Sequence, residues 1–553
     1  MNMRGLWRAG AVAFTMAGVM ALGLTADWDG SIGPAVRSLP SGPVTFERIR
    51  NAEGEPWNWL TYSGQYSGQR FSRLTSITAA NVRRLRIKWI YQLRTIDTVE
   101  TTPLVADGVM YLTRANDVIA LDAATGRPYW TYSHPVPSGL ALCCGRQNRG
   151  LALMDGRLFL ATLDARLVAL DASSGTLLWS TQIADPADGY SSTAAPLVVK
   201  DKVITGIAGG EFGARGFIDA YDVSNGTRLW RFQTVPGPGE AGHETWAGDS
   251  WRSGGAPTWT VGSYDPSLNL LYWGVGNPGP DWNGIQRSGD NLYSDSVVAI
   301  DPDTGALRWH FQFTPHDEHD WDATQVPVLV DAPLNGKLRK LLFTANRNGF
   351  FYVLDRQTGE FLLGREFALQ TWADGLDSHG RPILKPGTAP TVTGVVVAPP
   401  SNGATNWWPP AYSPDTGWFY VMAYDGRGTF YSSDTEYSYA RGAMYLGGAA
   451  SDDDPSDAGT SAVRALEPST GRRMWEFPLA SKSASGLLAT AGGLLFGGSI
   501  DGYVFALDAS SGAERWHMSV GGAVMAPPIA YASRDVGYLA VAAGDAIVAF
   551  TLD

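Results

Sequence analysis

Charge is scarce in this chain: 17% of its 553 residues are Asp, Glu, Lys or Arg, and the acids outnumber the bases 54 to 42. A net charge of -12 offers no basic surface to a phosphate backbone, so nucleic acid is excluded as an expected partner. Cysteine is scarcer still. Cys143 and Cys144 are the only two and they are adjacent, which suits a local device better than a brace for the fold. No Cys-x-x-Cys-His occurs, which excludes a c-type haem attachment. His316 and His319 have a spacing seen in zinc sites, but a third nitrogen or sulfur ligand is missing. After residue 26 no apolar stretch is long enough to span a bilayer.

The one long apolar run stands at the start. Arg4 and Arg8 precede Ala9–Leu24, and Thr25-Ala26 supplies small residues before Asp27-Trp28-Asp29. Such a basic, then apolar, then small-residue order predicts a signal peptide over 1–26, with residues 27–553 as the exported, mature protein.

Glycine, proline and tryptophan are plentiful, at 65, 33 and 21 residues, and exclude a mainly disordered chain. A repeat organises them: Ala-x-Asp-x-x-(Ser/Thr)-Gly-x-x-x-Trp. It occurs at Ala120–Trp130, Ala169–Trp179, Ala299–Trp309 and Ala506–Trp516. Variants run from Ala220 to Trp230, from Val353 to Leu363 and from Ala465 to Trp475. Asp and Ser or Thr can bond the backbone of a tight turn, Gly supplies a positive φ, and the Trp is free to pack between neighbouring sheets. The first Asp residues recur about every 50 positions, which fits one four-stranded blade per repeat. The expected fold is therefore all-β, an eight-bladed propeller. The strand around Ile87–Tyr91 is expected to complete the last blade, and a blade without a repeat is expected around Trp418–Val421.

Polar and aromatic groups collect between the repeats. Gly209-Gly210-Glu211 follows a strand, Thr245-Trp246 opens a Trp-rich loop, and Gly276-Asn277-Pro278 ends another strand with a carboxamide. His316–Asp322 is dense in acids and histidines, and Arg347-Asn348-Gly349 and Asn406-Trp407-Trp408 complete the set. Carboxylates and a carboxamide from separate blades are the oxygen ligands a hard cation requires. Ser451–Pro455 is a second acidic run, expected to be a solvated loop rather than a calcium site. The adjacent cysteines, in an exported chain, are expected to close a strained eight-membered disulfide ring; two unlinked thiols are the alternative.

The repeat, the vicinal cysteines followed by Arg149, the Trp-Ala-Gly-Asp-Ser-Trp stretch from Trp246, Gly276-Asn277-Pro278, His316-Asp317-Glu318-x-Asp320 and Arg347-Asn348-Gly349 resemble the quinoprotein alcohol dehydrogenases that use pyrroloquinoline quinone. The resemblance implies Trp246 under the quinone and Cys143-Cys144 over it. It implies that Glu100, Arg149, Thr162, Gly209, Gly210, Thr245, Asn406 and Trp407 bind the cofactor, and that Glu211, Asn277 and Asp320 hold a metal ion. Asp320 would be the base and Arg347 would bond the reactive oxygens. Asp322, two positions after Asp320, would add a carboxylate, as in the lanthanide-dependent branch, and favours a trivalent lanthanide over Ca²⁺. His319 departs from the family, which has Trp there, and Ser483 stands nearest a lost tryptophan. The same resemblance implies a periplasmic enzyme, an alcohol substrate and a separate soluble cytochrome c as electron acceptor, and leaves a homodimer open. The rival reading, from the repeat alone, is a non-catalytic exported propeller scaffold of the outer-membrane assembly type.

Overall fold

A computed structural model describes residues 42–426, 428–452 and 459–552. The expected signal peptide and most of the acidic run at 451–455 lie outside the described residues. Among those described, seven four-stranded sheets and one five-stranded sheet follow one another along the chain, antiparallel between consecutive strands. Five of the sheets, 104–132, 152–182, 197–233, 263–312 and 328–366, are simple meanders. Two more span 411–479 and 488–519, the latter joined by the short parallel strand Phe71–Ser72. This is the propeller arrangement, and its second and third strands form the core: in 152–182, Leu158, Phe159, Leu160 and Leu167–Leu170 are wholly buried.

The repeat builds the turn between the third and outermost strands. Asp122 Oδ1 accepts the N–H groups of Ala124 and Thr125, each at 3.0 Å, and Gly126 closes the turn at φ +71°. A side chain at Gly126 would strike Trp89, whose ring packs flat on it and whose Nε1 donates to Ala123 O at 3.2 Å. The same seat recurs around the molecule. Trp130 packs on Gly175, Trp179 on Gly226, Trp230 on Gly305, Trp309 on Gly359 and Trp475 on Gly512. From Trp130 to Trp475 each repeat therefore supplies a tryptophan to the next repeat's glycine, and where Leu363 replaces Trp it still touches Gly471; Trp516 of the last repeat meets Phe550 instead.

The strand Arg86–Gln92 pairs with Ala546–Thr551, so the two ends of the chain share the last sheet, as expected. The position of the sheet without a repeat differs from expectation. Trp418–Asp425 pairs with Thr460–Glu467, so it belongs to the sheet of the Glu467 repeat. The intervening length is taken up by Ala373–Leu376 with Pro382–Leu384, and by Val395–Val397 with Thr429–Ser433 and Gly448–Asp452. The closing sheet is the one without a motif, for a topological reason: its third and outermost strands come from opposite chain ends, and no turn joins them.

Candidate active site

In an up-and-down sheet the approach to the first strand and the turn between the second and third strands lie at the same end, opposite the repeat turns. The chemistry-bearing residues occupy only these two kinds of connection. Glu100, Arg149, Trp259, Asp320, Asp322 and Trp407 precede first strands; Glu211, Asn277 and Arg347 lie in second-to-third turns. All of them except Asn277 line a cavity of about 250 Å³. A larger cleft, about 770 Å³, lies at the repeat end beside Trp418 and Glu467, and its charges are spent on structural ion pairs such as Arg356–Asp265 at 2.7 Å.

Arg149 is the centre of one wall. Its guanidinium pairs with the buried Glu100 at 2.8 Å, donates to Thr193 Oγ1 at 2.9 Å, and lies 4.7 Å from the Trp259 ring and 4.4 Å from that of Trp407. Burial pushes Glu100 up, against the pull of Arg149. Arg347 forks across the opposite wall: Nη1 donates to Asp320 O at 2.8 Å, and Nη2 donates to Asn406 Oδ1 at 3.0 Å and stands 3.3 Å from Asp322 Oδ2. The Nε of Arg149 and that of Arg347 are buried without an acceptor.

Asp320 adopts φ +61°, a conformation few non-glycine residues take and one that collects at functional sites. Its side chain keeps 30% exposure, whereas that of Asp322 keeps 7%. Burial pushes Asp320 well above the ordinary carboxylate range; Arg347 opposes this, while Asp322, Asp281 and Glu211 add to it. Burial also raises Glu211 and Asp322. Asp322 is fastened: Oδ1 accepts the Asn277 N–H at 3.0 Å and Oδ2 the Trp259 Nε1–H at 3.1 Å. Gly276 makes this approach possible, because a Cβ there would sit 2.2 Å from Asp322 Oδ1.

Cys143 and Cys144 line the cavity, with their sulfurs and a Glu211 oxygen within 4.8 Å of one another. The structure records both as free thiols and does not show the expected disulfide, with Sγ atoms 2.6 Å apart, between the about 2.05 Å of a covalent bond and the separation of two unlinked sulfurs. The thiol of Cys143 lowers the Cys144 value, aided by Arg149 and Arg347.

Several expected residues stand outside the cavity lining. Trp246 does not line the cavity: its Nε1 donates to Leu292 O at 2.6 Å and its ring packs on Gly254. Trp259 lines the cavity in its place; the signal was its position just ahead of the strand Ser263–Asp265. Thr245 ties the same loop through Gly242 O and the Leu292 N–H. Thr162 is fully buried and bonds Arg166. Gly209 and Gly210 shape the 3-10 turn that carries Glu211, where the Gly189 carbonyl and Pro257 leave no room for side chains. Asn277 lies behind the cavity wall, against Asp322 and Asp281. His319 stacks on Trp321 at 4.3 Å, and Ser483 bonds Gly498 O at 2.7 Å. The sequence argument missed Asp281 and Asp295, both fully buried, the latter with neither oxygen hydrogen-bonded.

The donor set fits a hard cation: Glu211, Asn277, Asp320 and Asp322 offer only oxygen, and buried carboxylates that raise one another's pKa values gain from a positive charge. The orphaned arginine donors, flanked by Trp259 and Trp407, fit a flat, anionic cofactor.

Fold and site together define a β-propeller of the quinoprotein class. The family described as "Glucose/ethanol/alcohol dehydrogenase, beta-propeller domain" matches residues 59–366, more than half of the chain, and "Outer membrane protein assembly factor BamB" matches residues 459–553. The chain is 39% identical to the quinoprotein alcohol dehydrogenase PedH of Pseudomonas putida, over 91% of this chain and 88% of that one. It is 38% identical to the lanthanide-dependent methanol dehydrogenase of Methylacidiphilum fumariolicum, over 92% and 88%. A solved europium-containing methanol dehydrogenase superposes with a TM-score of 0.84 at 36% identity, over 90% of this chain and 91% of that one. The chain belongs to the pyrroloquinoline-quinone-dependent alcohol dehydrogenase family.

Proposed function

We propose that this protein oxidises a primary alcohol to the aldehyde in the cavity between Trp259, Arg347 and Asp320. The observation that carries the reading is the convergence of Glu211, Asp320, Asp322 and Arg347 on one end of the sheets. When bound, pyrroloquinoline quinone supplies a two-electron acceptor and the metal ion a Lewis acid. The chain's own residues do the rest. Trp259 offers a flat apolar face, and Arg149, Glu100, Asn406 and Trp407 hold the cofactor's edge. Glu211, Asn277, Asp320 and Asp322 hold the metal. Asp320, the carboxylate that keeps a path to the cavity, takes the hydroxyl proton, and the charge of Arg347 favours its ionised form against the upward push of burial and of the neighbouring carboxylates.

Three carboxylates beside Asn277 exceed the charge a divalent ion balances, which favours a trivalent lanthanide over Ca²⁺. We read the sheets as eight blades, residues 1–26 as a leader into the periplasm, and a soluble cytochrome c as the acceptor. Metal-free protein reconstituted with the quinone and either La³⁺ or Ca²⁺ should reduce a redox dye with alcohols, faster with La³⁺. Asp320→Asn should lower that rate about 10² to 10⁴-fold. Equal rates with calcium would remove the lanthanide preference alone; no turnover with either ion would remove the dehydrogenase reading.

A further inference from the structure

Asp281 lies behind the site, 2% exposed, on the connection between Leu270–Gly274 and Ser296–Ile300. Its Oδ1 accepts a hydrogen bond from Asn277 Nδ2 at 3.0 Å. A primary amide donates only from nitrogen and accepts only at oxygen, so a carboxylate on one side decides which way it faces. The main chain of Asn277 is held as well, because its N–H donates to Asp322 Oδ1. Asn277 is thus clamped between two carboxylates, and among the described residues its Oδ1 accepts no hydrogen bond. The turn that carries Asp281 is itself anchored. The fully buried Arg287 donates from Nε and Nη2 to Pro280 O, at 3.2 and 3.0 Å, and from Nη1 to Asn291 Oδ1 at 2.8 Å. A buried, hydrogen-bonded acid placed against a ligand amide is the arrangement by which outer groups orient the groups that touch a metal.

We propose that Asp281 is a positioning residue of the metal centre, fixing the Asn277 carboxamide with nitrogen inward and oxygen toward the cation. The inference rests on the reading of Glu211, Asn277, Asp320 and Asp322 as the metal donors. Asp281 touches neither substrate nor cofactor; it acts through Asn277 and through the negative charge it adds behind the donors. Its removal frees the amide to turn and leaves a ligand position to water.

The test uses Tb³⁺ with the full chain, loaded with the quinone and stripped of metal. Tryptophan-sensitised terbium luminescence, in competition with a chelator, gives the affinity, and lifetimes in H₂O and D₂O give the number of bound waters. Asp281→Ala should weaken Tb³⁺ binding about 10- to 100-fold and add a bound water. Asp281→Asn keeps an acceptor for Asn277 Nδ2 without the charge; it should lose affinity by a smaller factor with the water count unchanged. A purely structural role would move the thermal midpoint and leave the water count where it was. If Asp281→Ala does not fold, an Asp281→Asn protein with affinity equal to the parent's overturns the inference. Parental affinity and lifetimes in a folded Asp281→Ala protein overturn it too, while leaving the metal reading intact. A parent that binds no Tb³⁺ overturns both.

Discussion

Two tryptophans, Trp246 and Trp259, have opposite surroundings. Trp246 is 4% exposed and braces the loop before Gly254, whereas Trp259 presents its ring to the cavity and its Nε1 to Asp322. Trp259→Ala should weaken quinone binding about tenfold or more in an absorbance titration, with little change in the melting midpoint. Trp246→Ala should do the reverse, costing about 3–5 kcal/mol of stability while the folded fraction keeps its cofactor affinity. That Glu211, Asp320, Arg347 and Trp407 gather at one cavity was legible in the sequence, because their types and neighbouring motifs set them apart from the repeat turns. Trp259 was not: with 21 tryptophans in the chain, residue type alone does not separate a ring that faces a cavity from one that packs a blade. Asp281 was hidden for a related reason, since an acid in a Gly-Pro-rich loop reads as solvated until burial is known.

At the scale of the element, the repeat is both a turn and a seat for its neighbour. Trp230 is 8% exposed, covers Gly305 and donates to Pro302 O at 2.9 Å. Trp230→Ala should therefore lower stability by about 3–5 kcal/mol in urea unfolding and leave the cavity unaltered. The turn acids carry a pH dependence. Burial pushes Asp508 up, but donors from Ser510, Arg515 and Ser511 outweigh it and hold the group down to about 2, from an ordinary 3.8. A folded value below the unfolded one gives stability that is present above pH 3.8 and lost as pH falls toward 2. Asp508→Asn should thus be less stable than the parent at neutral pH, and denaturant titrations across that window should find the difference vanishing. The repeats made these sheets legible at once. The insertions at 373–384, 395–397 and 429–452 were not, because no periodicity marks where the chain leaves a sheet and returns; the strand Trp418–Asp425 was accordingly placed in the wrong sheet.

For the whole molecule, the decisive pairing is that of Arg86–Gln92 with Ala546–Thr551. The fully buried Arg70 reinforces it, donating to Tyr62 O, Leu487 O and Pro528 O at 2.7, 2.9 and 2.6 Å, and so pinning the early chain to the last two sheets. Deleting residues after 545 should expose the amides of Val536–Ala543 and Arg86–Gln92 to rapid hydrogen exchange and broaden thermal unfolding; a sharp, parent-like transition would show that the ring does not depend on this strand. The expected strand at Ile87–Tyr91 was legible because an apolar, alternating segment upstream of the first repeat has no other sheet to join. Synthesis runs from the amino end, so every residue named in the cavity is made before the final strand. Until Ala546–Thr551 emerges, a nascent molecule is an open arc with an unmatched strand at each end. In a crowded compartment the last strand of one molecule can then answer the first strand of another, and the join that seals the ring is also the place where two copies would exchange ends.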